Sequence, residues 1–189
     1  MLSIFEDNAI DQIYAYEMLQ KFAFSLIGIF IPVYILAENA PIEWAFLYLI
    51  GYNLVFTLIS IPVSYIIARI GFKHSLLLSY AFYIPAFLSI RSFGLSTNLV
   101  AATAILIGFG KAFHWLALHA EFAVDSTVSN RGKATGRLLG LPRISKAVAP
   151  FIGGVLMAYY GFPLLAAVAI FFMILSAYPL FASKDHRDP

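Results

Sequence analysis

The sequence predicts an all-α integral membrane protein, with six transmembrane helices in one bundle. Of its 189 residues, 61% are hydrophobic and only 12% are charged, too few polar groups to cover the surface of a water-soluble domain. Six apolar runs approach the roughly 20 residues that a membrane-spanning helix requires. Lysine and arginine fall mainly in alternate segments between these runs, as they do in cytoplasmic loops.

The six runs define a single domain over residues 1–183, followed by a polar tail at 184–189. The predicted helices cover residues about 20–36, 44–68, 75–90, 98–118, 136–160 and 162–181.

Each helix is expected to end where charges or helix breakers interrupt its apolar run. The first three helices end at the segments 38–41, 69–74 and 91–97. The fourth ends at the one long connection, 119–135. The fifth helix is the most polar, and Gly161 separates it from the sixth.

The basic residues indicate the orientation. Ten of the twelve lie on one face when the chain crosses a bilayer six times, whereas Arg91 lies on the other face and Lys111 lies within an apolar run. Because cytoplasmic loops are enriched in lysine and arginine, we predict that both termini are cytoplasmic. The predicted location is the cell membrane, that is, the plasma or inner membrane.

Several function classes are excluded by what the sequence lacks. It has no cysteine, which removes thiol catalysis and cysteine metal sites. It has no nucleophile elbow and no zinc-binding histidine pair, and a net charge of +2 is too small to indicate nucleic-acid binding. We therefore expect no enzyme activity, no metal site, no cofactor and no nucleic-acid partner. An integral-membrane enzyme stays open as a weaker alternative that no nucleophile or metal constellation supports.

Polar residues inside the predicted spans mark a candidate cavity, because charge is costly in hydrocarbon. Lys111 and His114 are three residues apart and share a face of helix four. Lys21 and Ser25 lie on one side of helix one. We predict that these four residues line a solute cavity. The alternatives are that Lys111 snorkels to the interface and that His114 only packs.

Helix two carries a polar stripe that includes Asn53 and Thr57, spaced four residues apart. Such stripes most often join helices within a membrane. We therefore predict a helix-packing role for both residues, in preference to contact with a solute.

The connection between helices two and three carries a motif formed by Ser64, Arg69, Gly71 and Lys73. It resembles the signature of the major facilitator superfamily at the same topological place. Ser64 stands where that signature has its first glycine, and Ala68 replaces its aspartate. Gly71 permits a tight turn, and the basic residues can cap helix ends. The resemblance implies a loop that helps to lock the inside gate, here without the aspartate of the family's charge relay.

The fifth helix is also similar to its counterpart in this superfamily. Pro150, Gly153 and Gly154, followed by the turn at Gly161, resemble the small-residue helix five and its short link to helix six. The resemblance implies that these residues serve helix packing. With the predicted helix four included, the resemblance to this superfamily covers nearly the whole chain.

The resemblance implies the N-terminal six-helix half of a secondary-active transporter that moves a small solute by alternating access. The expected partners are the lipid bilayer, a small-molecule solute and a coupling proton at His114. Superfamily members have two six-helix halves. A homodimer, a partner that supplies the second half, and a fragment of a longer chain therefore stay open. The alternative function is a non-transporting membrane scaffold or assembly subunit.

Overall fold

The computed structural model describes residues 9–92, 96–125 and 131–182, and all regular structure within these ranges is α-helical. The predicted polar tail at 184–189 lies outside the described residues. The helices are α1 (Ala9–Gly28), α2 (Phe30–Ala37), α3 (Ile42–Ile70), α4 (Phe72–Ser92), α5 (Thr97–Asp125) and α6 (Arg131–Ala182).

Four helical stretches of the described chain are long and apolar enough to cross a membrane. They are Gln12–Ala37, Ile42–Ile70, Thr97–Val124 and Ala134–Leu180. The last has 47 residues, about twice the length of one span. The chain is therefore a multi-pass membrane protein. The predicted number of six spans is reached if α4 also crosses the membrane and α6 crosses it twice.

Two glycines set the sharpest changes of direction. Gly71 has φ 88° and ψ 161°, and it joins α3 to α4 in a single-residue turn. Gly161 has φ 74° and ψ 176°, and it divides α6 into a first arm (131–160) and a second arm (162–182). Only glycine adopts this region of backbone space at little cost, because it has no Cβ atom.

We expect Gly161→Ala to destabilise the protein by about 1–3 kcal/mol, the cost of holding a side chain in this backbone region. Gly140→Ala is the matched control, because Gly140 lies within the first arm and an added Cβ there would meet nothing within 4 Å. The midpoint of thermal unfolding in mild detergent measures the difference. Equal midpoints for the two variants would contradict a backbone role for Gly161.

The helices extend further than the sequence predicted. α1 begins at Ala9 rather than near residue 20, α5 continues to Asp125, and α6 begins at Arg131. The expected long connection at 119–135 is therefore mostly helical, and only 126–130 lie outside the described residues. The length of an apolar run indicates only the part of a helix that crosses the hydrocarbon core of the membrane. These helices continue beyond that part with more polar residues. The Tyr14 hydroxyl donates to the Ala134 carbonyl oxygen at 3.1 Å, which joins two of the extensions.

The first predicted helix is interrupted between α1 and α2. Pro32 has no N–H to donate to the carbonyl of Gly28, and its ring crowds that carbonyl. The helical hydrogen bonds are accordingly interrupted at Ile29. At the end of α2, Asn39 takes a positive φ of 58°, a conformation that asparagine tolerates at a helix end.

The bundle is formed by α1 packing along α6 and by α5 packing between α3 and α4. Gly108 allows α5 to approach α3 closely, because a Cβ atom there would lie 2.9 Å from the Tyr52 carbonyl oxygen. The middle of α5 therefore lies close to α3, and α1 also contacts α5. On their other faces, α3 and the first arm of α6 carry large exposed apolar side chains, including Leu58, Ile61 and Phe151.

Candidate functional site

The four residues predicted for a solute cavity line the same space in the structure. Lys21 and Ser25 on α1 face Lys111 and His114 on α5 across a cavity of about 350 Å³. Ligand pockets are typically about 300–1,000 Å³, so this cavity suits a small molecule. Much of its wall is aromatic. The aromatic lining residues are Phe24, Tyr48, Tyr52, Tyr83, Phe87 and Trp115.

Lys111 is directed towards α3. Its ammonium donates to Asn53 Oδ1 at 2.8 Å and lies 5.0 Å from the ring centroid of Tyr52 and 4.9 Å from that of Phe56. Both aromatic faces attract a cation. Lys111 is thus positioned by a neutral amide and by aromatic rings.

The two residues predicted to pack helix two differ in their contacts. Asn53 connects α3 to α5 through Lys111, and its own amide group donates to the Leu49 carbonyl at 2.8 Å. The Thr57 hydroxyl donates to the Asn53 carbonyl at 2.9 Å, within its own helix, and Thr57 is exposed. Of the two, only Asn53 has an interhelical hydrogen bond in the described part of the chain.

His114 belongs to a buried polar network with α1. Its Nδ1 lies 2.7 Å from the Tyr16 hydroxyl, and its Nε2 lies 3.3 Å from Glu17 Oε2. Glu17 Oε1 is 3.0 Å from the Lys21 ammonium. Tyr16, Glu17 and His114 are each at most 3% exposed. If Tyr16 donates to Nδ1, the proton of the neutral ring is on Nε2. Nε2 and Glu17 Oε2 are close but do not form a hydrogen bond with each other in this arrangement. The network therefore places an imidazole and a carboxylate side by side, next to the cavity.

Glu17 is a site residue that was not among the four residues predicted for the cavity. A predicted helix start near residue 20 placed it outside the membrane span, whereas α1 includes it. Its spacing of four residues from Lys21 was the available signal, because i and i+4 side chains meet on a helix surface. Lys146, on the first arm of α6, also lines the cavity and was likewise not among the four predicted residues.

The motif predicted for the inside gate extends from Ser64, within α3, to the turn between α3 and α4, and none of its residues lines the cavity. The Ser64 hydroxyl donates to the Ile61 carbonyl at 2.7 Å, and Arg69 is in the last turn of α3. Gly71 forms the turn, and Lys73 lies in the first turn of α4. The structure therefore brings Arg69, Gly71 and Lys73 together at one end of the bundle.

The small residues of the first arm of α6 differ in what they contact. A Cβ atom on Gly153 would overlap the Leu26 carbonyl oxygen and would lie 2.6 Å from Phe30 Cε2. A Cβ atom on Gly154 would lie 3.8 Å from Phe30 Cζ, an ordinary contact distance. Pro150 is half-buried, one turn earlier. Gly153 is thus the position where α6 approaches α1 most tightly among these three.

Within residues 9–92, 96–125 and 131–182, no three histidine or acidic side chains are grouped so that they could hold a metal ion. The model of the family described as "Major Facilitator Superfamily" matches residues 15–189. That range contains the buried network and all the residues that line the cavity. No curated protein matches the chain.

Proposed function

Because the chain belongs to the Major Facilitator Superfamily, a family of membrane transporters, we propose that it moves a small solute across the cell membrane by alternating access. The observation that carries the proposal is the convergence of Lys21, Ser25, Lys111 and His114 on one cavity. Charged and polar residues are costly inside a membrane helix and are concentrated where a substrate or an ion passes. Secondary transporters bind substrate near the middle of the membrane, between helices.

The proposed architecture has six membrane spans and two cytoplasmic termini. The kink at Gly161 supports two crossings by α6, since each arm has the length of one span. Contacts at opposite ends of the bundle agree with this arrangement. The start of α1 meets the start of α6 through Tyr14 and Ala134, whereas Tyr34 at the end of α2 stacks on Phe162. The one-sided distribution of lysine and arginine supports the orientation.

A second six-helix unit is proposed to complete the transport path. In support, Leu58, Ile61 and Phe151 on α3 and the first arm of α6 are 68%, 70% and 79% exposed. These apolar faces belong to helices that also line the cavity, and they offer a surface for another helical unit. A second copy of the chain, a separate partner and a further part of the same polypeptide are the three sources. Cysteine crosslinking from an introduced Leu58→Cys distinguishes self-association from the other two.

A coupling proton is proposed at the Glu17–His114 pair. The carboxylate and imidazole lie 3.3 Å apart and are buried beside the cavity. A proton exchanged with this pair changes the charge that Lys21 experiences, because the Glu17 carboxylate also holds the Lys21 ammonium. Solute binding at Lys21 and protonation of the pair are therefore expected to influence each other. Uptake driven by an imposed proton gradient measures this coupling.

We expect Lys111→Ala and His114→Ala each to reduce solute uptake by at least about tenfold, because each removes a charged or strongly hydrogen-bonded contact at the cavity. The measurement uses purified protein in lipid vesicles and a panel of small solutes to find one that is taken up. Arg137→Ala is the control, since Arg137 is exposed on α6 and does not line the cavity.

Normal uptake by both cavity variants would contradict the site assignment. A stable assembly that transports none of the solutes would instead favour a membrane scaffold.

A further inference from the structure

We propose that the cavity accepts a small organic anion with an aromatic or apolar body. This inference rests on the proposed transport function and names its substrate class. It follows from the charge balance of the cavity, from the contacts of its lysines and from the chemistry of its walls.

The charge of the cavity lining is positive. Lys21, Lys111 and Lys146 all line it, and no aspartate or glutamate does. The nearest carboxylate, Glu17, is already held by Lys21 and His114. At most one of the three lysine charges is therefore balanced by the described part of the chain.

The contacts of Lys111 are with neutral groups. Its hydrogen bond goes to the neutral amide of Asn53, and its other close neighbours are aromatic rings. Within the described ranges, neither Lys111 nor Lys146 forms an ion pair. An ammonium within a membrane-spanning segment is costly without a counter-charge, so its partner is expected to be an anion.

The cavity walls define the rest of the ligand. Aromatic side chains from α1, α3, α4 and α5 surround the lysines and present apolar faces. The Ser25 hydroxyl lines the same space and can donate to an anionic oxygen. Lys21 lies 5.1 Å from the Trp115 ring centroid, so one aromatic wall lies directly beside a cation. A ligand that carries a carboxylate or phosphate on a ring-sized apolar group pairs with the lysines and packs against the aromatic walls.

Trp115 provides a direct binding signal. The chain has two tryptophans, so Trp44→Phe leaves Trp115 as the only one. We expect benzoate or phenyl phosphate to change its fluorescence saturably in purified, full-length protein. Benzamide, which has nearly the shape of benzoate but no charge, is expected to bind at least about tenfold more weakly, as is the cation benzamidinium.

Lys111→Gln in the same background is expected to weaken benzoate binding by at least about tenfold. Lys111→Arg keeps the charge and is expected to retain binding, which separates loss of charge from misfolding. Arg137→Gln removes an exposed charge outside the cavity and is expected to leave binding unchanged.

Three results would overturn the anion site: no saturable binding of either anion, equal binding of benzamide and benzoate, or equal weakening in Lys111→Gln and Lys111→Arg. Unchanged benzoate binding in Lys111→Gln would also overturn it, and would leave a carboxylate from a second unit as the partner of Lys111.

Uptake of benzoate into vesicles separates this inference from the proposed function. Benzoate binding without uptake of any solute supports the anion site and contradicts transport. Uptake of neutral or cationic solutes without benzoate binding supports transport and contradicts the anion site.

Discussion

Replacing Gly153 by alanine is expected to destabilise the protein by about 3 kcal/mol, the upper end of the usual cost of an added methyl group in a packed core. The new Cβ atom would overlap the Leu26 carbonyl oxygen and contact Phe30. A backbone carbonyl in a helix cannot rotate away as a side chain can, so the helices must separate. Because α1 also carries Glu17, Lys21 and Ser25, the same change is expected to widen the cavity.

Gly154→Ala is the matched control, one residue further along the same helix. Its Cβ atom would lie 3.8 Å from the nearest atom, on the Phe30 ring. Alanine favours a helix over glycine by up to about 1 kcal/mol, so this variant is expected to equal or exceed the wild type in stability. Thermal unfolding midpoints in one detergent compare the two. A Gly153→Ala protein as stable as Gly154→Ala would show that α1 and α6 are not tightly packed there.

Glu17→Gln is expected to cost about 3 kcal/mol of stability, because removing one partner of a buried ion pair leaves the other charge uncompensated. The Glu17 side chain is 4% exposed and the Lys21 side chain 17% exposed, so Lys21 recovers little hydration when its partner is lost. The substitution keeps the size of the side chain and therefore tests charge. The free energy of unfolding in a denaturant titration measures the effect.

Glu43→Gln is the control, because it makes the same glutamate-to-glutamine change at a different position. Glu43 is exposed in the first turn of α3, where a carboxylate contributes at most about 1 kcal/mol through the helix dipole. A double-mutant cycle with His114→Gln then isolates the coupling between Glu17 and His114. If Glu17→Gln costs no more than Glu43→Gln, the network does not stabilise the fold.

The interiors of the helices were predictable from the sequence, but their ends were not. Apolar runs identify the part of a helix that lies in hydrocarbon, because backbone groups there must bond within the helix. α1 continues to Ala9 through Tyr14, Tyr16 and Glu17, which are polar and nevertheless buried. A hydropathy pattern treats such residues as a loop. For this reason, the carboxylate of the network was left out of the predicted site.

The candidate site was partly predictable for a similar reason. Helical spacing places Lys111 near His114 on α5 and Lys21 near Ser25 on α1, since these relations are local. The two residues of α5 nevertheless contact different helices: Lys111 bonds to Asn53 on α3, and His114 bonds to Tyr16 on α1. The spacing of residues along one helix does not specify which other helices that helix contacts.

The sequence by itself determined the properties that depend on local chemistry. The composition determined that the protein belongs in a membrane, and the apolar runs determined where the helices lie, because both follow from solvation. Gly71 and Gly161 determined the sharp turns, because these follow from backbone sterics. Only the tertiary structure decided that Glu17, a lysine and a histidine form one network and that Lys146 joins the cavity. The reason is that these contacts depend on which helices approach each other closely, as α6 approaches α1 at Gly153 and α5 approaches α3 at Gly108. The order of residues along a single helix does not encode this.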